Sequence, residues 1–381
     1  MQGYYTPSKH EPIRFAVVGL GYLAQAAVLP AFSHATGWAK LTALISRYPD
    51  KLHDLGDRYA APYLYPLENY DHALAAETFD AVYITAPNAL HCDLALRAAI
   101  AGKHVLVEPP LGLTSAECLE IIRVTQEHHV RLMVGYRLHF DRGNMRAVAI
   151  VRSGEIGAPR IVSATVTLQL HEENGRTDPT AFGGLMHTTG ILGINAARYI
   201  FRSEPHRVTA LTSNPSELRF RDTPGLGGAL LDFGGGRLAS ITASYAATPR
   251  SHLSVIGTCG TVELEPAFDF SSPRHLVACS LSGSEREHFP ASDQFAPELI
   301  EFARCITEHD EPETSGLEGL ADVRIIEAVE RSSITGRTVE LPDFKKPRRP
   351  DISQTSLIPP AKNNHPLIEA REPERRTSRT P

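Results

Sequence analysis

Two glycines and an alanine near the start of the chain have the spacing of a dinucleotide-binding turn. Gly19, Gly21 and Ala24 form the pattern Gly-x-Gly-x-x-Ala directly after an apolar run. The first glycine permits a tight turn, the second lets the backbone approach a pyrophosphate, and the small third residue allows close packing of a helix on a strand. A helix beginning around Tyr22 and Leu23 presents free N–H groups to the phosphates. These residues predict a site for NAD or NADP.

The end of the second apolar run predicts which of the two cofactors is bound. An NAD site usually has an acidic residue there, which accepts hydrogen bonds from the ribose hydroxyls. This chain has Ser46, Arg47 and Lys51 instead. A hydroxyl and two cations suit the 2′-phosphate of NADP, which a carboxylate would repel. We therefore predict NADP rather than NAD; the alternative is that Arg47 and Lys51 are solvated charges at the start of a helix.

Short apolar runs alternate with helical stretches through the first part of the chain. The runs are 13–18, 41–45, 81–85, 105–107 and 132–134. One of the helical stretches begins with a capping box formed by Thr114 and Glu117. This alternation is typical of a parallel, doubly wound sheet. It predicts an α/β Rossmann domain at residues 13–137, after an N-terminal arm at residues 1–12.

From residue 138 the pattern changes to consecutive strand-like runs joined by glycine-rich turns. The runs are 160–168, 226–233, 237–245, 252–257 and 260–265, with helices expected at 188–201, 297–308 and 317–335. Such a pattern predicts an α+β domain at 138–343, with a largely antiparallel, open sheet covered by helices on one face. Residues 344–381 are rich in proline, arginine and polar residues, which predicts a flexible tail.

The composition of the chain argues against several functional classes. The chain has 381 residues, a formal net charge of −6 and 42% hydrophobic residues, which suits two well-packed domains. Mild acidity without a basic stripe argues against nucleic acid as a partner, and no apolar run reaches the roughly 18 residues of a membrane span. The five cysteines are scattered, no spacing predicts a metal site, and no export signal is visible, so we expect a cytoplasmic protein with reduced thiols.

Two further segments resemble a known family. The run 101–110, AGKHVLVEPP, resembles the AGKHVL-x-EKP sequence of the Gfo/Idh/MocA oxidoreductases, and 85–91, TAPNALH, resembles that family's TPN-x-LH loop. Within the family, segments 134–141 and 194–199 look most like those of glucose–fructose oxidoreductase. The resemblance implies that the following residues belong to the cofactor pocket: Ala86, Pro87, Asn88, His91, Glu108 and Arg137.

The resemblance breaks at three positions that handle protons in the family. Pro109 stands where the family has the lysine that works beside the nicotinamide. Alignment of the glycines in 183–190 places Thr188 where the family has aspartate, and Leu192 where it has histidine or tyrosine. Proline and leucine carry no ionisable group, and threonine does not titrate near neutrality. Each missing acid or base typically costs a factor of about 10²–10⁴ in rate, so ordinary turnover should be feeble unless another group substitutes.

His187, which directly precedes Thr188, is the nearest group that can substitute as the catalytic acid or base. On a regular helix it points away from the family's catalytic face, so a bulge or a one-residue change of register is required. The alternative is a helix-start residue satisfied by its neighbours. Tyr136, His139 and Tyr245 are weaker candidates, since such residues more often serve packing.

These observations favour an NADP-binding, oxidoreductase-like protein that acts on a sugar or polyol with atypical or lost catalytic residues. The main alternative is a non-catalytic sensor or scaffold that keeps nucleotide and sugar as ligands. Another is a different NAD(P)-assisted reaction such as glycoside cleavage, which also needs acid and base groups. The polar run 171–173 either lines a sugar pocket or forms a solvated loop. An open sheet face needs a cover, so we expect a homodimer or homotetramer.

Overall fold

The computed structural model describes residues 10–171, 174–361 and 365–373. Over these residues the chain forms two compact units, each assembled from segments distant in sequence. The first unit takes the described residues of 1–142, 291–323 and 350–371, and the second those of 143–290, 324–349 and 372–381. The chain first passes from one unit to the other after Arg142. The domain bounds predicted from the sequence, 13–137 and 138–343, stay predictions.

The first unit contains a six-stranded parallel sheet. Its strands β1 to β6 are Ile13–Val18, Ala39–Ser46, Tyr63–Pro66, Ala81–Ile84, His104–Val107 and Leu132–Val134. Their order is β3-β2-β1-β4-β5-β6, and every pair is parallel. The predicted doubly wound Rossmann sheet is confirmed.

Helices connect these strands and cover the sheet. They are α1 Leu29–Ala31, preceded by the π-helical turn Ala24–Val28, then α2 Pro49–Tyr59, α3 Tyr70–Ala75, α4 His91–Ile100, α5 Ser115–Glu127 and, from later in the chain, α9 Phe295–Thr307. As predicted, Thr114 caps α5, and its Oγ1 accepts a bond from the backbone N–H of Glu117 at 3.2 Å. The four residues of β4 are all buried, as expected for parallel strands covered on both faces.

The second unit is built on a nine-stranded sheet. Strands β7 to β15 are Pro159–Gln169, Arg207–Ser213, Leu226–Asp232, Leu238–Ser244, Ala246–Gly257, Gly260–Glu265, Arg274–Ser280, Gly283–Phe289 and Val339–Glu340. Their order is β14-β13-β12-β11-β7-β10-β9-β8-β15. Only the β7–β10 pair is parallel among the named strands of this sheet, so the predicted, largely antiparallel sheet is confirmed.

The helices in this part of the chain are α6 Arg142–Ser153, α7 Pro179–Phe182, α8 Ile191–Phe201 and the later part of α10 Gly316–Thr335. Helix α8 packs on the sheet against β7 and β10, and Ser332 of α10 bonds the backbone N–H of Ala210 in β8. Close contact of α8 requires a glycine, because a Cβ on Gly193 would lie 2.9 Å from Cβ of Ala164 and 3.0 Å from Cγ2 of Ile241. The opposite face carries exposed apolar side chains, as described below.

Part of the segment that the sequence assigns to a tail packs on the first unit. The backbone N–H of Asp293 donates to the carbonyl of Ile358 at 2.8 Å. The side-chain amide of Gln25 exchanges two hydrogen bonds with the backbone of Ile368, at 2.9 and 2.8 Å. Arg58 Nη1 donates to the carbonyl of Pro366 at 3.1 Å. Pro366 therefore lies against α2, and Ile368 against the helical turn that follows Gly21.

Candidate functional site

The glycine turn after β1 has the geometry that a dinucleotide requires. Gly19 has a φ of +93°, and a Cβ there would lie 2.8 Å from both Cα and N of Ala86. Thr85 Oγ1 donates to the carbonyl of Gly19 at 2.6 Å, which fixes the turn against the end of β4. A Cβ on Gly21 would meet nothing within 4 Å, so the backbone is open to a ligand there. Ala24 is fully buried where the helix packs on the sheet.

The residues that follow the turn are held by one buried glutamine. The Gln25 side chain donates to the carbonyl of Leu20 at 2.9 Å and is 1% exposed. Tyr22 and Leu23 are half-buried at the start of the helical segment. The turn therefore has a fixed backbone next to open space, which fits the pyrophosphate of a dinucleotide.

A cluster of cations lies at the end of β2. Ser46 is buried, and its Oγ accepts a bond from the backbone N–H of Tyr48 at 3.2 Å. The Lys51 ammonium lies 4.4 Å from the centre of the Tyr48 ring, and the Arg47 guanidinium carbon lies 5.7 Å from it. Burial lowers the pKa of the Lys51 ammonium; the nearby carboxylate of Glu369 opposes this effect, while Arg47 adds to it. The two positively charged side chains against the Tyr48 ring favour the binding of an anion at the end of β2.

The loops after β4 and β5 are joined through His91. Its Nδ1 contacts the carbonyl oxygen of Pro110 at 2.7 Å, and its Nε2 contacts that of Ala86 at 2.9 Å. The ring is fully buried, and burial lowers the pKa of His91 although both carbonyls favour the protonated ring. Asn88 is buried beside it in the same loop, after Pro87. His91 therefore acts as a brace between the two loops.

A buried acid cluster lies directly before Pro109. The Tyr83 hydroxyl donates to Glu108 Oε1 at 2.5 Å and lies 3.3 Å from Glu298 Oε2 on α9. Burial raises the pKa of Glu108 to about 7, while Tyr83 and Arg137 oppose the shift. Burial also raises the pKa of Glu298, as does the charge of Glu108. The cluster therefore places two carboxyl groups near one guanidinium, that of Arg137.

The side chain of Arg137 donates a hydrogen bond to an amide oxygen. Its Nη1 donates to Gln294 Oε1 at 2.6 Å, and Gln294 Nε2 donates to Asp141 Oδ2 at 3.0 Å. In the same unit, His139 Nδ1 lies 2.7 Å from Glu313 Oε2, and the rings of Tyr136 and His139 stack 5.6 Å apart. His139 and Tyr136 thus lie in packed surroundings.

The second unit contains Thr188 and Leu192, which the family resemblance places on the catalytic helix. That helix begins as a π-helical turn, Met186–Gly190, and continues as α8. Thr188 Oγ1 contacts the Tyr245 hydroxyl, and both bond the carbonyl of Gly184, at 3.2 and 3.3 Å respectively. Leu192 is half-buried, whereas Tyr245 is fully buried and burial raises its pKa. Thr188 and Tyr245 therefore form a pair that cannot ionise near neutrality.

His187 lies on the inner side of that turn. It is 3% exposed, and its Nδ1 lies 3.4 Å from Glu330 Oε1. The change of register that the sequence argument required is present as the π-helical turn, and within it His187 lies close to Glu330 of α10. Its catalytic role stays a prediction.

Two stretches of the chain match models of known protein domains. Residues 13–136 match the Gfo/Idh/MocA oxidoreductase family with its NAD-binding Rossmann fold, and residues 145–263 match the Gfo/Idh/MocA C-terminal domain. The D-xylose 1-dehydrogenase (NADP(+)) of Haloarcula marismortui is 32% identical over 338 residues, which cover 87% of this chain and 93% of that protein. The chain belongs to the Gfo/Idh/MocA oxidoreductase family.

Solved structures share the fold of this Gfo/Idh/MocA oxidoreductase. The aldose-aldose oxidoreductase of Caulobacter crescentus, solved with glycerol, is 33% identical with a TM-score of 0.82, over 87% of this chain and all (100%) of that one. A 3-ketoreductase from Actinomadura kijaniata, solved with NADP and TDP-benzene, is 26% identical with a TM-score of 0.78, over 84% of this chain and 98% of that one. Both relatives are redox enzymes by name, and the first unit of this chain is an NAD(P)-binding Rossmann domain.

The described part of this Gfo/Idh/MocA chain has no group of three or more histidine, cysteine, aspartate or glutamate residues that could hold a metal ion. No helix within the same residues is long and apolar enough to cross a membrane. Of the polar run 171–173, Glu172 and Glu173 lie outside the described residues.

Sequence reasoning on this Gfo/Idh/MocA chain missed three residues of the site. Tyr83 and Glu298 were not identified because their contact joins residues 215 positions apart, with no local pattern to reveal it. Tyr48, the ring beneath the two cations, could have been found, since an aromatic residue directly follows Ser46 and Arg47.

Proposed function

We propose that this protein is an NADP-dependent oxidoreductase that acts on a sugar or polyol. The observation that carries the proposal is the pair of cations on the Tyr48 ring at the end of β2, with Ser46 and Arg47 where an NAD site usually has an acidic residue. The Haloarcula relative is named for D-xylose and NADP(+), and the Caulobacter relative for aldoses, which supports the substrate class and the cofactor.

The residues of the chain have separate tasks in this proposal. The backbone at Gly19 and Gly21 holds the pyrophosphate, and Ser46, Arg47 and Lys51 hold the 2′-phosphate. Asn88 and the loop braced by His91 position the nicotinamide ribose. When bound, the cofactor supplies or accepts the hydride. The hydroxyl proton of the substrate must be handled by the protein, and Pro109, Thr188 and Leu192 do not do so.

Turnover measurements test the proposal. The purified protein is mixed with NADP⁺ and a panel of aldoses and polyols, or with NADPH and the corresponding lactones and ketoses, while absorbance of the reduced nicotinamide is followed. Cofactor reduction or oxidation that depends on one sugar supports the enzyme. Cofactor and sugar binding without turnover supports the second candidate, a sensor or scaffold, which the non-ionising residues at positions 109, 188 and 192 favour.

Removal of the two cations should lower NADPH affinity selectively. Hydrogen bonds to charged groups contribute about 1.5–3 kcal/mol, so we expect Arg47→Ala and Lys51→Ala each to weaken NADPH binding by roughly 10–100-fold. NADH affinity should change less than about threefold, since NADH lacks the 2′-phosphate. Lys40→Ala, an exposed lysine on the same strand, is the control. Equal losses for both cofactors would contradict the assignment of these cations to the phosphate.

The open sheet face of the second unit supports an oligomer. One row of cross-strand partners on this face consists of Ile256, Ile161 and Leu238. The neighbouring rows contain Leu230 and Leu211. These five side chains are 40–74% exposed. Apolar residues on adjacent strands form a continuous patch of the kind that another subunit covers. We therefore propose a homodimer or homotetramer that pairs through this face.

A charge on this face should separate the subunits. We expect Leu230→Glu to lower the mass measured by light scattering at micromolar concentration to that of a smaller species, because a buried carboxylate without a partner opposes association. Leu281→Glu, at an 88% exposed position in the β13–β14 turn, should leave the mass unchanged. The same mass for the natural protein and Leu230→Glu would exclude this face.

A further inference from the structure

The acid cluster beside Pro109 points to a replacement for the missing lysine. We propose that Glu298, Tyr83 and Glu108 form a proton relay that supplies the acid and base function at this edge of the sheet. The inference rests on the proposed function, since it assigns the proton of the same reaction. Of the three residues, Glu298 and Tyr83 are fully buried, whereas Glu108 is half-buried and directly precedes position 109.

The hydrogen-bond geometry of this cluster favours a stored proton. Tyr83 has one hydroxyl hydrogen but contacts two carboxyl groups, at 2.5 Å for Glu108 and 3.3 Å for Glu298. A hydroxyl donates one hydrogen, so the second contact is a hydrogen bond only if a carboxyl carries a hydrogen. Glu298 Oε1 has no hydrogen-bond partner among the described residues, and leaving it so costs less for a neutral acid than for a carboxylate. The stored proton therefore belongs on Glu298 at rest.

The surrounding charges maintain this state. Among the described residues, Arg137 is the cation that acts on both carboxyls, and it favours their charged forms. Asp293 opposes ionisation of Glu298. Asp293 is itself held by His34 Nδ1 at 2.9 Å. Because Glu298 is fully buried and faces the charges of Glu108 and Asp293, its neutral form is favoured.

The relay balances the reaction in both directions. In reduction of a carbonyl, the hydrogen of Glu298 passes to the Tyr83 oxygen while the Tyr83 hydrogen passes to Glu108, and Glu298 is left as a carboxylate. Glu108 then gives its proton to the carbonyl oxygen of the substrate, and a bound reduced cofactor would supply the hydride to carbon. Solvent returns one proton to Glu298. In oxidation of an alcohol, Glu298 first loses its stored proton to solvent. The Glu108 carboxylate then accepts the hydroxyl proton, which is relayed through Tyr83 to Glu298, and a bound oxidised cofactor would accept the hydride.

Conservative variants test the relay. Glu298→Gln retains a donor to Tyr83 but cannot release a proton, and Tyr83→Phe removes the connecting hydroxyl. We expect each to lower kcat by about 10²-fold, while KM and the Kd for NADPH change less than about threefold. The solvent deuterium isotope effect on kcat should show a curved proton inventory in the natural protein and a linear one in Tyr83→Phe. Tyr70→Phe, a buried tyrosine bonded to the Leu94 carbonyl at 3.1 Å, is the control for a structural loss.

Infrared spectroscopy provides a measurement that does not depend on activity. The natural protein at neutral pH should show the C=O stretch of a protonated carboxyl, and the difference spectrum between the natural protein and Glu298→Gln should contain the component that Glu298 contributes. A natural protein without that band, or variants with unchanged kcat and proton inventory, would overturn the relay and leave the proposed function standing. A protein that shows the band but turns over no sugar would instead overturn the proposed function, and with it the catalytic use of the stored proton.

Discussion

The triple variant Pro109→Lys, Thr188→Asp, Leu192→Tyr is expected to turn over its sugar about 10²–10⁴-fold faster than the natural protein. The family resemblance assigns these positions to proton handling, and the natural residues have no group that titrates near neutrality. Position 188 is prepared for an acid, because the Tyr245 hydroxyl that now contacts Thr188 can donate to a carboxylate. Steady-state rates with NADP⁺ and the best sugar of the panel measure the gain.

A matched triple variant separates the effect of ionisation from that of shape. Pro109→Met, Thr188→Asn, Leu192→Phe introduces side chains of similar size that do not titrate, and it should remain at the natural rate. Equal rates for the two triple variants, with intact folding and NADPH affinity, would contradict the assignment of these positions to the reacting centre.

Gly19→Ala is expected to weaken NADPH binding by about 100-fold or more. A Cβ at this position would lie 2.8 Å from backbone atoms of Ala86, and a φ of +93° is strained for any side chain. Strain of about 1–3 kcal/mol moves the turn away from the end of β4, and the pyrophosphate then loses the backbone N–H groups aimed at it. Calorimetric titration with NADPH measures the loss, and thermal melting reports the cost to stability.

Two other glycines serve as controls for that variant. Gly102 has a φ of +73° in the turn before β5, and a Cβ there would meet nothing within 4 Å, so Gly102→Ala introduces backbone strain without affecting NADPH binding. Gly21→Ala meets no atom within 4 Å, so it should fold normally and lose affinity through the methyl group that faces the ligand. Natural NADPH affinity in Gly19→Ala would exclude this turn as the pyrophosphate site.

Local patterns predicted most of the first sheet. The apolar run 13–18 coincides with β1, and the capping residue Thr114 marks the start of α5. These features depend on residues that are adjacent in sequence, so the sequence alone could predict them. β3 was missed because it is a four-residue edge strand with no fully buried residue, and β14 because its polar sequence, GSEREHF, hides any alternation.

Features of the site that join residues distant in sequence were harder to predict from the sequence. The glycine turn depends on a few consecutive residues, so its φ and its open space follow from the motif. The Tyr83–Glu298 contact depends on the folded sheet and α9 together, and no spacing encodes it. The sequence predicted a helix from residue 188 and left a bulge there open, and the structure has a π-helical turn from Met186 because tertiary packing sets that register.

Calorimetric titration of the natural protein with NADPH and with NADH measures the cofactor preference on which the proposed function depends. We expect NADPH to bind at least about tenfold tighter than NADH, because only NADPH carries the phosphate that Arg47 and Lys51 attract. No heat of binding with either cofactor, or equal affinity for both, would contradict this expectation.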